Sequence, residues 1–277
     1  MSMKIVVLGG SGLVGSKLVD RLALRGFEVV AASRRTGVDA LTGRGLAVTL
    51  AGAHAVVDAT NAPVFEDPEV AEFFRHASER LLQAAGNAGI AHYLALSVVG
   101  TERLQGSAYF RAKAIQERQV RQSPVPYTLL RATQFYEFMA NIVPAGGGPG
   151  PVRLSPAQVQ PVAANDVADV LADLVVAPAA NGVVELAGPE RYRLNELVEW
   201  VMYSYQDDRP VVADAEALYY GARLDDDTLA PIGAALHGAT QFGDWLDGYL
   251  TGAARIPEVH HPDPLAAPHQ FSGITVR

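Results

Sequence analysis

The sequence predicts an α/β fold, a doubly wound parallel sheet with helices on both faces and a small C-terminal lobe. Three observations predict it. Short β-branched runs alternate with longer helical patterns through the first half of the chain. Residues 4–8, with the unalternating apolar run 5–8, read as a strand buried on both faces. A glycine-rich segment, Gly9-Gly10-Ser11-Gly12-Leu13-Val14-Gly15, joins that strand to the first helical pattern.

The elements follow in order. Residues 13–25 carry Leu13, Val14, Leu18, Leu22 and Leu24 at helical spacing, and Gly26 ends the run. Residues 27–32 read as a second buried strand, 38–40 as a short third, and 55–59 as a fourth that ends at Thr60-Asn61-Ala62-Pro63. Asp67 and Pro68 open a long helix with Val70, Phe73, Phe74, Ala77, Leu81, Leu82 and Ala85 on one stripe. Strand 93–97, helix 108–122 and strand 127–130 complete the alternation, with Ser123-Pro124 breaking the helix.

The second half is less regular. Residues 134–143 look helical, and the Gly/Pro run 146–151 reads equally as a surface loop or as a flap over a site. Asn165 is expected to cap a helix reaching Val176. Residues 183–187 read as a strand, and 194–205 and 241–250 as amphipathic helices. The stripe Phe242, Trp245, Leu246, Tyr249 and Leu250 is most simply core packing. The division expected is a core of residues 1–134 and 156–190 with a lobe of 135–155 and 191–277, all one compact unit.

Composition narrows the function classes. A chain of 277 residues with 49% hydrophobic and 19% charged side chains is not disordered. A net charge of −8 argues against a broad nucleic-acid or anionic-membrane surface. The absence of cysteine excludes disulfides, thiolate metal sites and cysteine nucleophiles. No apolar run approaches the ~18 residues that span a bilayer, and the run 5–8 is too short for a signal-peptide core, so a soluble, cytoplasmic protein is expected. Glu258, His260, His261 and Asp263 lie in a Pro-rich tail without ligand spacing, and no metal site is expected there.

Gly10, Gly12 and Gly15 form G-x-G-x-x-G between a buried strand and a helix, the context that makes this weak motif informative. Gly10 is expected to permit the tight turn, Gly12 to let the backbone approach a pyrophosphate, and Gly15 to allow close helix–strand packing. The helix N-terminus offers unpaired N–H groups to the anion. At the end of the second strand, where an acidic residue would bind the adenosine ribose of NAD, stand Ser33-Arg34-Arg35. A hydroxyl and two guanidiniums suit the 2′-phosphate of NADP, Arg34 above all.

Tyr109 and Lys113 are one helical turn apart, and Lys113 is one of only three lysines. Ser97 precedes Tyr109 by twelve residues, at the C-terminal end of a strand, where open α/β sheets bind ligands. An ammonium beside a phenol is expected to lower its pKa. Tyr109 would donate a proton to a substrate oxygen, Lys113 would tune it and hold the nicotinamide ribose, and Ser97 would orient the oxygen. Phe135, Tyr136, Phe138, Tyr219 and Tyr220 could line an apolar pocket.

These residues resemble the short-chain dehydrogenase/reductase superfamily, in its atypical NmrA-like, NAD(P)H-binding branch. The similarity runs from Lys4 to about Leu250. Besides the glycine segment it rests on Leu96-Ser97-Val98-Val99-Gly100, on Tyr109 with Lys113, on the segment Arg131 to Phe138, on Asp166-Val167-Ala168 and on Glu185-Leu186-Ala187-Gly188-Pro189. The resemblance implies a Rossmann core and a C-terminal lobe that shapes a substrate pocket. It implies that Asn61 and Ala62 pass the adenosine side of NADP(H), that Ser97, Tyr109 and Lys113 are catalytic, and that the stretch from Ala132 through Thr133 to Gln134 lies beside the nicotinamide. The branch usually has proline where this chain has Ala132. The expected function is NADPH-dependent reduction of a carbonyl or quinone-like small molecule. The alternative is a non-catalytic NADP(H)-binding sensor, and an epimerase ranks last because no nucleotide-sugar signature is present.

Overall fold

The computed structural model describes residues 2–142 and 150–251. Seven parallel strands form the central sheet: β1 (Lys4–Leu8), β2 (Glu28–Ala32), β3 (Ala55–Asp58), β4 (His92–Val98), β5 (Tyr127–Ala132), β8 (Gly182–Ala187) and β11 (Leu236–His237). Between β5 and β11 the chain also forms β6 (Val152–Leu154), β7 (Gln158–Val159), β9 (Tyr192–Arg193) and β10 (Val211–Ala213). The sheet order is β11-β8-β5-β4-β3-β1-β2. From β1 the chain therefore goes outward to β2 and then returns to the other side of β1 at β3. That reversal opens a crevice at the C-terminal strand ends, where such sheets take ligands.

The helices are α1 (Leu13–Leu24), α2 (Leu46–Leu50), α3 (Glu69–Asn87), α4 (Ala108–Gln122), α5 (Ala164–Leu174), α6 (Leu194–Ser204) and α7 (Phe242–Leu250). Alternate residues of β1 feed different layers. Ile5 and Val7 pack with Leu18 and Leu22 of α1 and Val167 and Leu171 of α5. Val6 and Leu8 pack on the other face with Leu81 and Ala85 of α3 and Val120 of α4. A separate apolar cluster joins Leu104, Phe110 and Tyr136 to Leu197, Val201, Phe242 and Leu246 of α6 and α7. No helix among the described residues is long and apolar enough to cross a membrane.

Three local expectations are corrected. Residues 38–40 form no strand, because the Asp39 carboxylate captures the N–H groups of Leu41 (2.9 Å) and Thr42 (3.2 Å) and turns the chain. Asn165 does not cap α5; it lies inside the helix, and the N–H of Ala164 donates instead to Glu137, at 3.1 and 3.2 Å from its two carboxylate oxygens. Burial raises the pKa of that carboxyl. Residues 136–142 form a 3-10 turn rather than an α-helix. The Gly/Pro run lies mostly, and the Glu258–Asp263 tail wholly, outside the described residues.

Candidate active site

A cleft of about 720 Å³ lies at the crevice, and its lining draws on the ends of β1, β2, β4 and β5 and the loop after β3. The glycine loop forms its floor. Gly9 carries a positive φ of 73°, and a Cβ there would sit 2.5 Å from the carbonyl oxygen of Ala59. The tight turn is thus at Gly9, which corrects the expectation for Gly10; Gly10 is instead packed against Val7 and Ala31. A Cβ on Gly15 would meet the Gly9 carbonyl oxygen at 2.2 Å, so only glycine lets α1 approach the loop. Gly9, Ser11, Gly12, Leu13 and Val14 line the cleft, with Gly10 and Gly15 behind them. Gly12 caps α1 without a side-chain bond, and the first turn holds no acidic residue, which leaves its N–H groups for an anion.

On the β2 side, Ser33, Arg34 and Arg35 line the cleft. The Ser33 N–H donates to Thr36 Oγ1 at 2.9 Å, whereas its own buried Oγ has no partner. Arg34 and Arg35 are exposed and make no ion pair among the described residues. Asn61 and Ala62 line the cleft after β3. Below them Asp58, 1% exposed, accepts from Tyr93 (2.8 Å), Gln116 (3.0 Å) and the Thr60 hydroxyl (2.6 Å).

Ser97 on β4 and Tyr109 and Lys113 on α4 all line this cleft. Lys113 is buried; its ammonium donates to the Leu96 carbonyl oxygen at 2.8 Å and to Gln116 Oε1, and lies 4.7 Å above the Phe74 ring. Burial lowers its pKa to about 8, against the opposing pull of Asp58 and Glu117. Tyr109 meets Phe65, Phe74 and Phe110 edge to face at 5.1, 6.2 and 5.8 Å. The expected lowering of its pKa is overturned. Burial raises the pKa, and the neighbouring Tyr220 phenol adds to the rise. The ammonium of Lys113 is bonded to Leu96 and Gln116.

Ser97 Oγ donates to Glu117 Oε1 at 2.6 Å. Arg131 holds the same carboxylate from Nε (2.8 Å) and Nη2 (2.6 Å), and reaches Glu102 at 2.8 Å. These bonds raise the Arg131 pKa and lower that of Glu102.

At the end of β5, Thr133, Gln134, Phe135 and Phe138 line the cleft. Thr133 Oγ1 donates to the Gln160 carbonyl oxygen at 2.6 Å; Gln134, 8% exposed, has a buried Oε1 without a partner. Phe135 and Phe138 stack at 5.6 Å. Tyr136 is corrected. It does not line the cleft: its hydroxyl donates to the Thr240 carbonyl oxygen at 2.9 Å, and its ring packs on Phe242 and Trp245 in the apolar cluster of α6 and α7. Tyr219 and Tyr220 reach the cleft from the C-terminal part of the chain; Phe65, Phe73 and Met139, which no motif marks, line it as well.

A glycine-backed helix N-terminus at the switch point of a parallel sheet defines a dinucleotide-binding α/β protein. A sequence model described as NAD(P)H-binding matches residues 36–178, just over half the chain, and the chain belongs to that family. No curated protein matches the sequence. Among solved structures, a short-chain dehydrogenase/reductase superfamily protein from Agrobacterium tumefaciens with bound NAD shares 16% identity, with a TM-score of 0.65 over 90% of this chain and 97% of that one. UDP-glucose 4-epimerase from Thermus thermophilus in complex with NAD shares 18%, with 0.63 over 91% and 100%. A dTDP-4-dehydrorhamnose reductase from Clostridium acetobutylicum shares 15%, with 0.65 over 90% and 100%. These likenesses show the fold.

Proposed function

We propose that the protein is an NADPH-dependent oxidoreductase of the NmrA-like type that reduces a carbonyl or quinone-like small molecule. One observation carries the reading: Tyr109 and Lys113, one turn apart on α4, face the same cleft as the glycine loop and the Ser33-Arg34-Arg35 corner. The residues present fit the dinucleotide. Ser33 Oγ and Gln134 Oε1 are buried polar atoms in the cleft that lack partners, and two guanidiniums stand ready for a phosphate. When bound, the reduced cofactor supplies a hydride.

The chain's own groups do the rest. Burial keeps the Tyr109 phenol protonated, so it holds the proton a substrate oxygen would receive, and at the same time makes it a weaker acid than a free tyrosine. Lys113 presents a compact charge beside it for ribose hydroxyls. Ser97 must release Glu117 before its hydrogen can reach a carbonyl oxygen; otherwise it offers that oxygen only lone pairs. The same committed hydrogen favours a second reading, an NADP(H)-binding sensor without turnover.

The experiment is a titration with NADPH and NADH, followed by a panel of carbonyls and quinones read by nicotinamide absorbance. Tyr109→Phe is expected to keep cofactor affinity and lose turnover by about 10²-fold or more. A variant as active as the parent overturns the role of Tyr109. Tight cofactor binding with no consumption by any substrate, and different affinities for the oxidised and reduced forms, establishes the sensor.

A further inference from the structure

Tyr219 and Tyr220 stand at a turn after β10. The Tyr219 N–H donates to the Ala222 carbonyl oxygen at 2.7 Å and the Ala222 N–H returns to Tyr219 at 3.0 Å. Between them Tyr220 (φ 45°) and Gly221 (φ 83°) are both left-handed. Such turns take Asn, Asp or Gly at the first central position, because a Cβ crowds the carbonyl; a bulky aromatic is strained there. Packing does not account for the choice. Tyr219 is buried at 7% exposure, whereas Tyr220 remains 46% exposed with its edge against the Tyr219 ring at 4.8 Å. Strained residues of this kind collect at ligand clamps.

The surroundings state the chemistry. Tyr220 lines the cleft with Tyr109, Phe110, Phe138 and Met139. The charges in the cleft lining, among the described residues, are Arg34, Arg35, Asp39 and Lys113. The first three follow β2, three strand spacings from β4, or about 14 Å. Lys113 is already bonded to Leu96 and Gln116. Its one remaining N–H is the donor assigned above to the ribose hydroxyls, so among the described residues no lining cation beside Tyr220 is left over for a diphosphate.

We propose that Tyr220 is a specificity-determining residue whose half-exposed ring covers a planar, uncharged aromatic substrate over Tyr109. This rests on the oxidoreductase reading and goes beyond it by naming the residue that selects the ligand. Its strain is retained for contact with substrate, so the residue favours binding at the expense of stability.

The test uses 2-methyl-1,4-naphthoquinone as probe, titrated into protein saturated with NADP⁺ so that no reduction occurs, with UDP-glucose in a parallel arm. Tyr220→Asn is expected to raise the melting midpoint by about 2–4 °C, to leave NADP⁺ affinity unchanged, and to weaken probe binding about fivefold or more. Tyr220→Phe, which keeps the ring, should bind the probe within about twofold of the parent. A lower melting midpoint for Tyr220→Asn, unchanged probe binding, or tighter binding of UDP-glucose than of the probe by the parent overturns the assignment. With NADP⁺ bound and no probe response, this assignment alone falls. Failure of the parent to bind NADP⁺ overturns the oxidoreductase reading itself.

Discussion

Ser97 gives its hydroxyl hydrogen to Glu117 at 2.6 Å, across the gap between β4 and α4. Glu117 is 3% exposed, and Arg131 is its principal counter-charge. Removing one partner of a buried pair strands the other, at about 3 kcal/mol or more. Glu117→Ala is therefore expected to destabilise the fold by about that amount in urea unfolding, whereas Ser97→Ala, which leaves the ion pair whole and removes one bond to a charged group, should cost about 1.5–2 kcal/mol. Equal losses from the two changes would show that the carboxylate does not anchor this corner of the cleft.

Lys113 makes stability depend on pH. Its pKa is lowered from 10.5 to about 8, so between those values the unfolded chain holds a proton that the folded chain has released. Stability then rises with pH across the window, and below pH 8 the burial penalty is fully present. Relative to Lys113→Met, the parent should gain about 2–3 kcal/mol from pH 8 to 10.5. A bound dinucleotide brings negative charge to the cleft and favours the ammonium, so binding near pH 8.5 should take up protons. Calorimetry in buffers of different ionisation enthalpy measures that uptake, and no uptake would separate Lys113 from the cofactor.

Gly12 and Gly15 separate binding from packing. A Cβ on Gly15 would lie 2.2 Å from the Gly9 carbonyl oxygen, so Gly15→Ala must push α1 off the loop. About 1–3 kcal/mol of stability should be lost along with dinucleotide affinity. At Gly12, which lines the cleft, the nearest atom to a Cβ would be the Gly9 carbonyl oxygen at 3.2 Å. Gly12→Ala should weaken cofactor binding about tenfold or more while moving the unfolding midpoint little. Parallel losses in both variants would contradict this division.

What is readable from the chain is what near neighbours decide. The helix from Ala108 to Gln122 and the strand from Lys4 to Leu8 follow from periodicity and flanking breakers, and the structure has both at those bounds. Contacts between distant segments leave no such mark. Glu137 reaches 27 residues to the N-terminus of α5, and so Asn165, the obvious local cap, is displaced. The spacing of Tyr109 and Lys113 shows their shared helix face. It does not show that packing buries the Tyr109 phenol and raises its pKa, or that Gln116 and the Leu96 carbonyl hold the ammonium. Tyr136 reads like its aromatic neighbours, yet the Thr240 carbonyl, 104 residues on, draws it into the apolar cluster of α6 and α7.

The arginine corner carries the choice between the two dinucleotides. Arg34 and Arg35 line the cleft beside the unpartnered Ser33 hydroxyl, and neither forms an ion pair among the described residues, so a phosphate meets no competing carboxylate partner. Arg35 is partly engaged with the Ser11 carbonyl oxygen at 3.4 Å, which leaves Arg34 the freer of the two. A charge-assisted bond to a phosphate contributes about 1.5–3 kcal/mol, or roughly 10- to 150-fold in affinity. The parent should bind NADPH more tightly than NADH by a ratio in that range. Arg34→Ala should remove most of it by weakening NADPH alone, and Arg35→Ala should remove less. Equal affinity of the parent for the two cofactors, measured by fluorescence titration at fixed salt, would refute the assignment to NADP.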